Sequence, residues 1–343
     1  MGGGPGETIA VTRRPIIIAG PTIDQHPALE AWNRRGSTRD KLATLEVWRD
    51  IKNLHGYKSL VYRLVFRNGG RPAVFAKHCQ AGGGNEERLF YEEILPDLGV
   101  SSPAYYGSLE EADGSCWFFL EDVGPLRLSE RDPVHRALAS RWIGQLHRRG
   151  TRIAAASRLR EAGPPRYLAH LHAARARILR SFANPAFTDE DRAALLNVLA
   201  AQDRIESWWC AVERTCAGLP KTVVHGDFQP KNVRVREETS GLALYAFDWE
   251  MAGWGVPAAD LVLNSRGSEM IQVDPEVYVS ELGGQWPNVD AATIARLSTV
   301  GYLLRRIANI DWESMKLDCE QRSAVTLMQL LHRDVTRGLE WLM

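Results

Sequence analysis

Val224-His225-Gly226-Asp227-Phe228-Gln229-Pro230-Lys231-Asn232 is the stretch that decides how this 343-residue chain is read. Thr222-Val223-Val224 reads as a short buried strand running into a loop. That loop carries an aspartate and, five positions on, an asparagine. Sixteen residues beyond Asn232 stands Asp248, in Phe247-Asp248-Trp249-Glu250, at the end of a second short apolar run. Each residue type suits phosphoryl transfer. That reaction needs a carboxylate to orient the attacking hydroxyl and accept its proton, and oxygen ligands to hold Mg²⁺ against the β- and γ-phosphates. Asp227 can supply the base, Asn232 one ligand and Asp248 the other. Taken singly, either aspartate is an ordinary turn or cap carboxylate. The joint order is what points to chemistry: strand, His-Gly-Asp, four residues, Asn, strand, turn, strand, Asp.

Outward from this loop the chain divides by pattern. Runs 60–66, 73–76 and 117–120 are rich in β-branched and aromatic residues, and Asn68-Gly69-Gly70 between the first two is a hairpin signal. In 37–53 the apolar positions Leu42, Leu45, Trp48 and Ile51 recur every three residues, which predicts a helix or a helix running into a strand. Residues 86–98 read as one helix, with Pro96 as the point where an early end is open. After Gly124-Pro125, a candidate hinge, the pattern turns helical over 134–149, 167–182 and 189–216, with Thr188 as an N-cap, and again from Ala258 to Leu342. The expected fold class is α+β. The expected organisation is an N-terminal extension over 1–36, a small β-rich nucleotide-binding lobe over 37–122, and a larger helical lobe over 123–343 with the catalytic loop and acceptor site.

At these residues the sequence resembles the aminoglycoside phosphotransferase and choline kinase group, relatives of the protein kinases. The Asp-x₄-Asn spacing, His225-Gly226-Asp227, the Asp248-Trp249-Glu250 segment and the run Gly253–Leu261, GWGVPAADL, carry the likeness. The resemblance implies a two-lobed protein-kinase-like fold, with ATP and Mg²⁺ as cofactors. It implies that Asp227 is the base, that Asn232 and Asp248 are the metal ligands, and that Asp260 buttresses the catalytic loop. It makes Lys77, in Val74-Phe75-Ala76-Lys77, the phosphate lysine, and Glu87, chosen over Glu86, the carboxylate that orients it. In His55-Gly56-Tyr57-Lys58-Ser59, Gly56 and Ser59 either offer backbone N–H groups to phosphate or form a plain turn. Backbone groups near Glu121 and Val123 would bind the adenine edge.

Composition narrows the alternatives. Forty-two basic side chains balance forty-two acidic ones, which argues against nucleic acid as a partner. No run approaches eighteen apolar residues, so no membrane span is expected. Five scattered cysteines without a CxxC pair suit free thiols in a reducing cytoplasm, and the N-terminus lacks a signal-peptide core. No GxSxG supports a serine hydrolase. The expected function is transfer of the γ-phosphate to a hydroxyl of a small molecule, an antibiotic or related natural product by resemblance. A kinase of a primary metabolite (choline, an amino alcohol or a sugar) and a nucleotide-binding pseudokinase are the rivals; the joint presence of Lys77, Asp227, Asn232 and Asp248 speaks against the last. The sequence leaves the oligomeric state open. Between Leu261 and Glu320, nine acids outnumber five bases. This predicts a cleft wall that favours an amine-bearing acceptor, with Asp311 and Glu313 beside Trp312 as its contacts.

Overall fold

The β-branched and aromatic runs of the first 122 residues pair into one antiparallel sheet, ordered β1-β2-β3-β4-β6-β5. Its strands are β1 (Ile16–Ile18), β2 (Leu42–Arg49), β3 (Ser59–Phe66), β4 (Val74–Cys79), β5 (Tyr105–Glu110) and β6 (Cys116–Glu121). The computed structural model describes residues 15–49, 59–67, 70–82, 84–264, 269–318 and 322–342. Residues up to Arg88, with Ala104–Asp122, form one compact unit; Leu89–Pro103 and the chain from Val123 onward form the other. Residues 15–36, read from the sequence as an extension, supply β1 and α1 (Pro27–Gly36) to the first unit. The reason is apolar burial. Ala28, Leu29 and Trp32 of α1 close the face of the sheet formed by Leu42, Leu45, Leu64, Val74, Ala76, Trp117 and Phe119.

The strand β2 corrects the helical reading of 37–53. Its pairing with β3 shifts register between Leu42 and Thr44 and again between Val47 and Arg49. One extra residue resets the two-residue alternation, so Leu42 and Leu45, three apart, share the buried face. A bulge thus imitates helical spacing. The alternation elsewhere is regular and positions Lys77. Val74 and Ala76 of β4 face α1, while Cys79 lies with Cys116 and Phe118 of β6 in a second cluster on the other face. Lys77, directly opposite Phe118, shares that second face.

Residues Asn85–Leu98 are helical throughout, as α2 (Asn85–Leu89), a π turn (Phe90–Ile94) and α3 (Leu95–Leu98). Pro96 does not end the helix early. The Leu95 N–H reaches back five residues to Phe90 O, and this wider turn accommodates a ring that clashes in a regular α-helix.

The second unit is mainly helical: α4 (Pro133–Gly150), α5 (Pro164–Ser181), α6 (Asp189–Ser207), α7 (Trp209–Cys216), α8 (Pro275–Leu282), α9 (Ala291–Ser314) and α10 (Arg322–Leu342). Thr188 caps α6 as expected, in a reciprocal box: its Oγ1 accepts from Asp191 N at 3.2 Å, and Asp191 Oδ2 accepts from Thr188 N at 2.9 Å. Two small antiparallel pairs sit among the helices. β7 (Thr222–Val224) pairs with β10 (Gly253–Gly255), and β8 (Val233–Glu238) forms a hairpin with β9 (Gly241–Ala246). Among the described residues, no helix is long and apolar enough to cross a membrane.

Candidate active site

Chain order alone brings Asn232 and Asp248 near one another. In the hairpin, Val233 faces Ala246, so the residues just outside that pair also meet: Phe247 N donates to Asn232 O at 3.1 Å. Asp248 follows directly, with φ +69° in the left-handed region. For a non-glycine residue this is an uncommon conformation, tolerated best by Asn and Asp. The loop between β7 and β8 turns at Gly226, φ +77°, where a Cβ would overlap the Met251 carbonyl. Only glycine fits there. The same carbonyl accepts from Arg166 Nη1 of α5 at 2.8 Å.

The loop is held from beneath by one carboxylate. Asp260, fully buried in a 3₁₀ turn (Pro257–Leu261), accepts from His225 N through Oδ2 at 2.6 Å and from Gly226 N through Oδ1 at 2.8 Å. His147 Nε2 of α4 lies 3.3 Å from Asp260 Oδ2, and its Nδ1 lies 2.8 Å from the Tyr278 hydroxyl of α8. Burial pushes the Asp260 carboxyl up, but the His147 and His225 contacts outweigh it and hold the group below the ordinary range. Its expected buttressing position is therefore matched by its bonds. His225 is buried as well, and burial pushes its imidazole down from 6.5. The Nδ1 atom accepts from Asp227 N at 3.3 Å, while Nε2–H points to Phe247 O at 3.2 Å. These partners define the neutral Nε2–H tautomer. It ties both ends of the site, with both ring nitrogens engaged.

Asp227 lies at the centre of a dense set of donors. Oδ1 accepts from Gln229 Nε2 and from Arg305 Nη2 at 3.3 Å. Oδ2 accepts from Asn232 Nδ2 at 2.8 Å and is ion-paired with Lys231 Nζ at 2.8 Å. Asn232 Nδ2 also donates to Asp227 O at 3.0 Å, which leaves the amide Oδ1 as its other end. That end and the Asp248 carboxylate are hard oxygen donors, the kind Mg²⁺ takes together with phosphate oxygens. The donor set fits the ion. Among the described residues, no group of three or more His, Cys, Asp or Glu is arranged to hold a metal without such help.

Arg305 is the site residue that sequence reading misses. It lies on α9, 78 positions beyond Asp227, is 4% exposed, and also donates to Phe228 O at 3.3 Å and Ala259 O at 3.5 Å. One turn earlier, Gly301 lets α9 settle directly on the 257–261 turn: a Cβ there would overlap the Ala258 carbonyl. The available signal was an Arg305-Arg306 pair inside the otherwise apolar run 300–308, since a buried guanidinium needs a fixed partner.

In the first unit, Lys77 Nζ and Glu87 Oε2 form a buried ion pair at 2.6 Å, with side chains 9% and 2% exposed. The choice of Glu87 over Glu86 is the one matched by a contact. Ser59 is buried at the start of β3, opposite Cys79, and Gly56 lies outside the described residues. Glu121 N donates to Ala104 O at 2.9 Å and Glu121 Oε2 accepts from Ala104 N at 3.0 Å, while Val123 is buried.

The three residues offered as acceptor contacts behave differently. Asp311 is buried and bonded to His170 Nδ1 at 2.8 Å and to Arg177 Nη1; Glu313 is bonded to Lys316. Trp312 is half-buried with its ring 6.3 Å from that of His170. Both carboxylates have cationic or imidazole partners inside the fold. A cavity of about 560 Å³ beside Arg131, Arg136, Gln272 and Asp274 contains none of the residues singled out by the sequence.

Comparison with known proteins adds the family. Residues 53–321 match the phosphotransferase enzyme family. No curated protein matches the chain in sequence. Among solved structures, a choline kinase from Cryptosporidium parvum Iowa II superposes with TM-score 0.53 at 13% identity, covering 87% of this chain and 88% of its own. A spectinomycin phosphotransferase, solved with ADP and spectinomycin, gives 0.52 at 15% over 87% and 93%. A mutant aminoglycoside 2'-phosphotransferase-IIIa, solved with GDP, gives 0.56 at 13% over 88% and 95%. These likenesses bear out the expected kinase-like α+β fold.

Proposed function

The chain belongs to the phosphotransferase enzyme family, and on that premise we propose that it moves the γ-phosphate of ATP, with Mg²⁺, to a hydroxyl of a small molecule. The observation that carries this reading is the carboxylate of Asp227, fixed on both oxygens by side chains from its own loop and from α9, with Asn232 and Asp248 joined by the hairpin behind it. Asp227 orients the acceptor hydroxyl and takes its proton as the oxygen attacks phosphorus. Asn232 Oδ1 and Asp248 hold the metal ion, which neutralises charge on the phosphates. Lys77, oriented by Glu87, holds phosphate oxygens. Rate enhancement comes from positioning and charge neutralisation rather than from a covalent enzyme intermediate.

For the acceptor we favour an antibiotic-like natural product. The support is the family and the spectinomycin bound by one solved relative. The choline kinase likeness supports a primary metabolite (choline, an amino alcohol or a sugar) as the competing acceptor. ADP release measured over a panel of hydroxyl compounds, from aminocyclitols to choline, separates the two. Mg²⁺-ATP binding without release on any acceptor would leave the pseudokinase reading and overturn this one.

A further inference from the structure

A carboxylate has two oxygens and room for about four hydrogen-bond donors. Asp227 accepts from three, Gln229 and Arg305 on Oδ1 and Asn232 on Oδ2, and the Lys231 ammonium stands 2.8 Å from Oδ2 as an ion pair. In that state the ammonium stands where an acceptor hydroxyl would approach Oδ2. For Asp227 to work as a base, one of these four groups must move aside.

Three of the four are poorly placed to do so. Gln229, Asn232 and Arg305 are 4%, 3% and 4% exposed, and moving them would strand buried amide or guanidinium groups. Arg305 is pinned further by two backbone carbonyls, and Asn232 by Asp227 O. The side chain of Lys231 is 51% exposed. Its ammonium can leave Oδ2 and be hydrated at once, and its four-carbon stem lets it move only a short way.

We propose that the Lys231 ammonium stands on Asp227 Oδ2 in the place of the acceptor hydroxyl, is displaced when the acceptor binds, and then serves as the mobile cation of phosphoryl transfer. The inference rests on Asp227 being the base. In the step itself, the hydroxyl proton passes to Asp227 Oδ2, the acceptor oxygen bonds to the γ-phosphorus, and the bridging P–O bond breaks with its electron pair leaving on ADP. Lys231 exchanges no proton. Displaced by one hydrogen-bond length from Oδ2, it remains beside the attacking oxygen and the phosphoryl oxygens, where negative charge develops. Arg305, the other cation on Asp227, is fixed on the Oδ1 side and orients the carboxylate instead.

The test uses the full chain, with Mg²⁺-ATP and water as the acceptor, read as ADP release. Lys231→Met should lower kcat by about 100-fold or more while the KM for ATP changes less than about twofold, as loss of one charge-stabilising donor does. Lys231→Arg should recover most of that loss. Lys231→Ala should regain activity with added propylammonium and not with propanol, a distinction that a structural role would not make. A Lys231→Met enzyme as fast as wild type, or faster, would overturn the proposal, because the lysine would then be idle or merely in the way. Equal rescue by propanol would overturn it too. Asp227→Asn separates the two readings. If that variant turns over normally, the base assignment fails; if it is inactive while Lys231→Met is normal, only the lysine proposal fails.

Discussion

Asp260 and His225 are joined at 2.6 Å, carboxylate Oδ2 to backbone N–H, with neither group reaching solvent. A carboxylate on the 257–261 turn thereby fixes the loop that precedes Asp227. The Asp260→Asn variant keeps the shape but removes the charge and places an NH₂ where an acceptor is required. Loss of hydrogen bonds to a buried charge predicts destabilisation of about 3 kcal/mol. Urea unfolding of the variant measures it, and an unchanged midpoint would show that the loop is held by other contacts.

Gly301→Ala sets two effects against each other. Helix propensity alone predicts a gain of about 1 kcal/mol in the middle of α9. The overlap of the new Cβ with the Ala258 carbonyl predicts a net loss of about 1–3 kcal/mol. We expect the overlap to win, and turnover to fall as Arg305 is lifted from Asp227. Thermal melting and ADP release on one variant check both, and a raised Tm would reject the close packing.

The pair Lys77–Glu87 predicts a stability cycle. Glu87→Leu leaves a buried ammonium without its carboxylate, which costs about 3–5 kcal/mol. Lys77→Met combined with Glu87→Leu should recover most of that stability, since an apolar pair of similar volume replaces the ions. Nucleotide affinity should stay low in the double variant. Recovery of ATP binding there would remove the pair from the phosphate site.

Asp227→Asn should lower kcat by a factor on the order of 10² or more while ATP still binds, as loss of a general base does. Asp248→Ala should instead abolish Mg²⁺-dependent nucleotide binding. Isothermal titration with and without Mg²⁺ distinguishes the two variants. Unaltered Mg²⁺-ATP affinity after loss of Asp248 would take it out of the metal site.

Four histidines set the direction of acid sensitivity. His26, His78, His225 and His332 are all pushed below 6.5 by burial. Below pH 6.5 the unfolded chain protonates them before the folded chain does. Their contribution is therefore complete above that pH and is lost as pH falls from 6.5 through their folded values. The Tm should fall between pH 7 and pH 5.5, and His78→Gln should flatten the fall. A Tm that rises on acidification would contradict their neutral burial.

What the sequence disclosed is what lies close together along the chain. His225, Asp227, Asn232 and Asp248 occur within 24 residues, so their order alone outlines the loop and hairpin. Thr188 with Asp191 is equally local, a cap written in four residues. Arg305 was hidden because its partner is 78 positions away and its neighbours look like ordinary helix core. The β2 strand was hidden because its bulges give Leu42 and Leu45 a helical interval. The pairing of Asp311 with His170 and Arg177 was hidden because counting charges along 261–320 does not reveal partners on α5. Lys77 and Glu87 were legible only through the resemblance; the alternation of β4 gives the face, not the partner.

The left-handed backbone at Asp248 has an evolutionary reading. A glycine would adopt the same conformation with less strain, so the aspartate costs folding about 1 kcal/mol. A copy of this gene released from selection on catalysis would gain stability by drifting to glycine at 248, and would lose the proposed metal ligand in the same step. The identity of residue 248 in any descendant is thus a record of whether the chemistry was still in use.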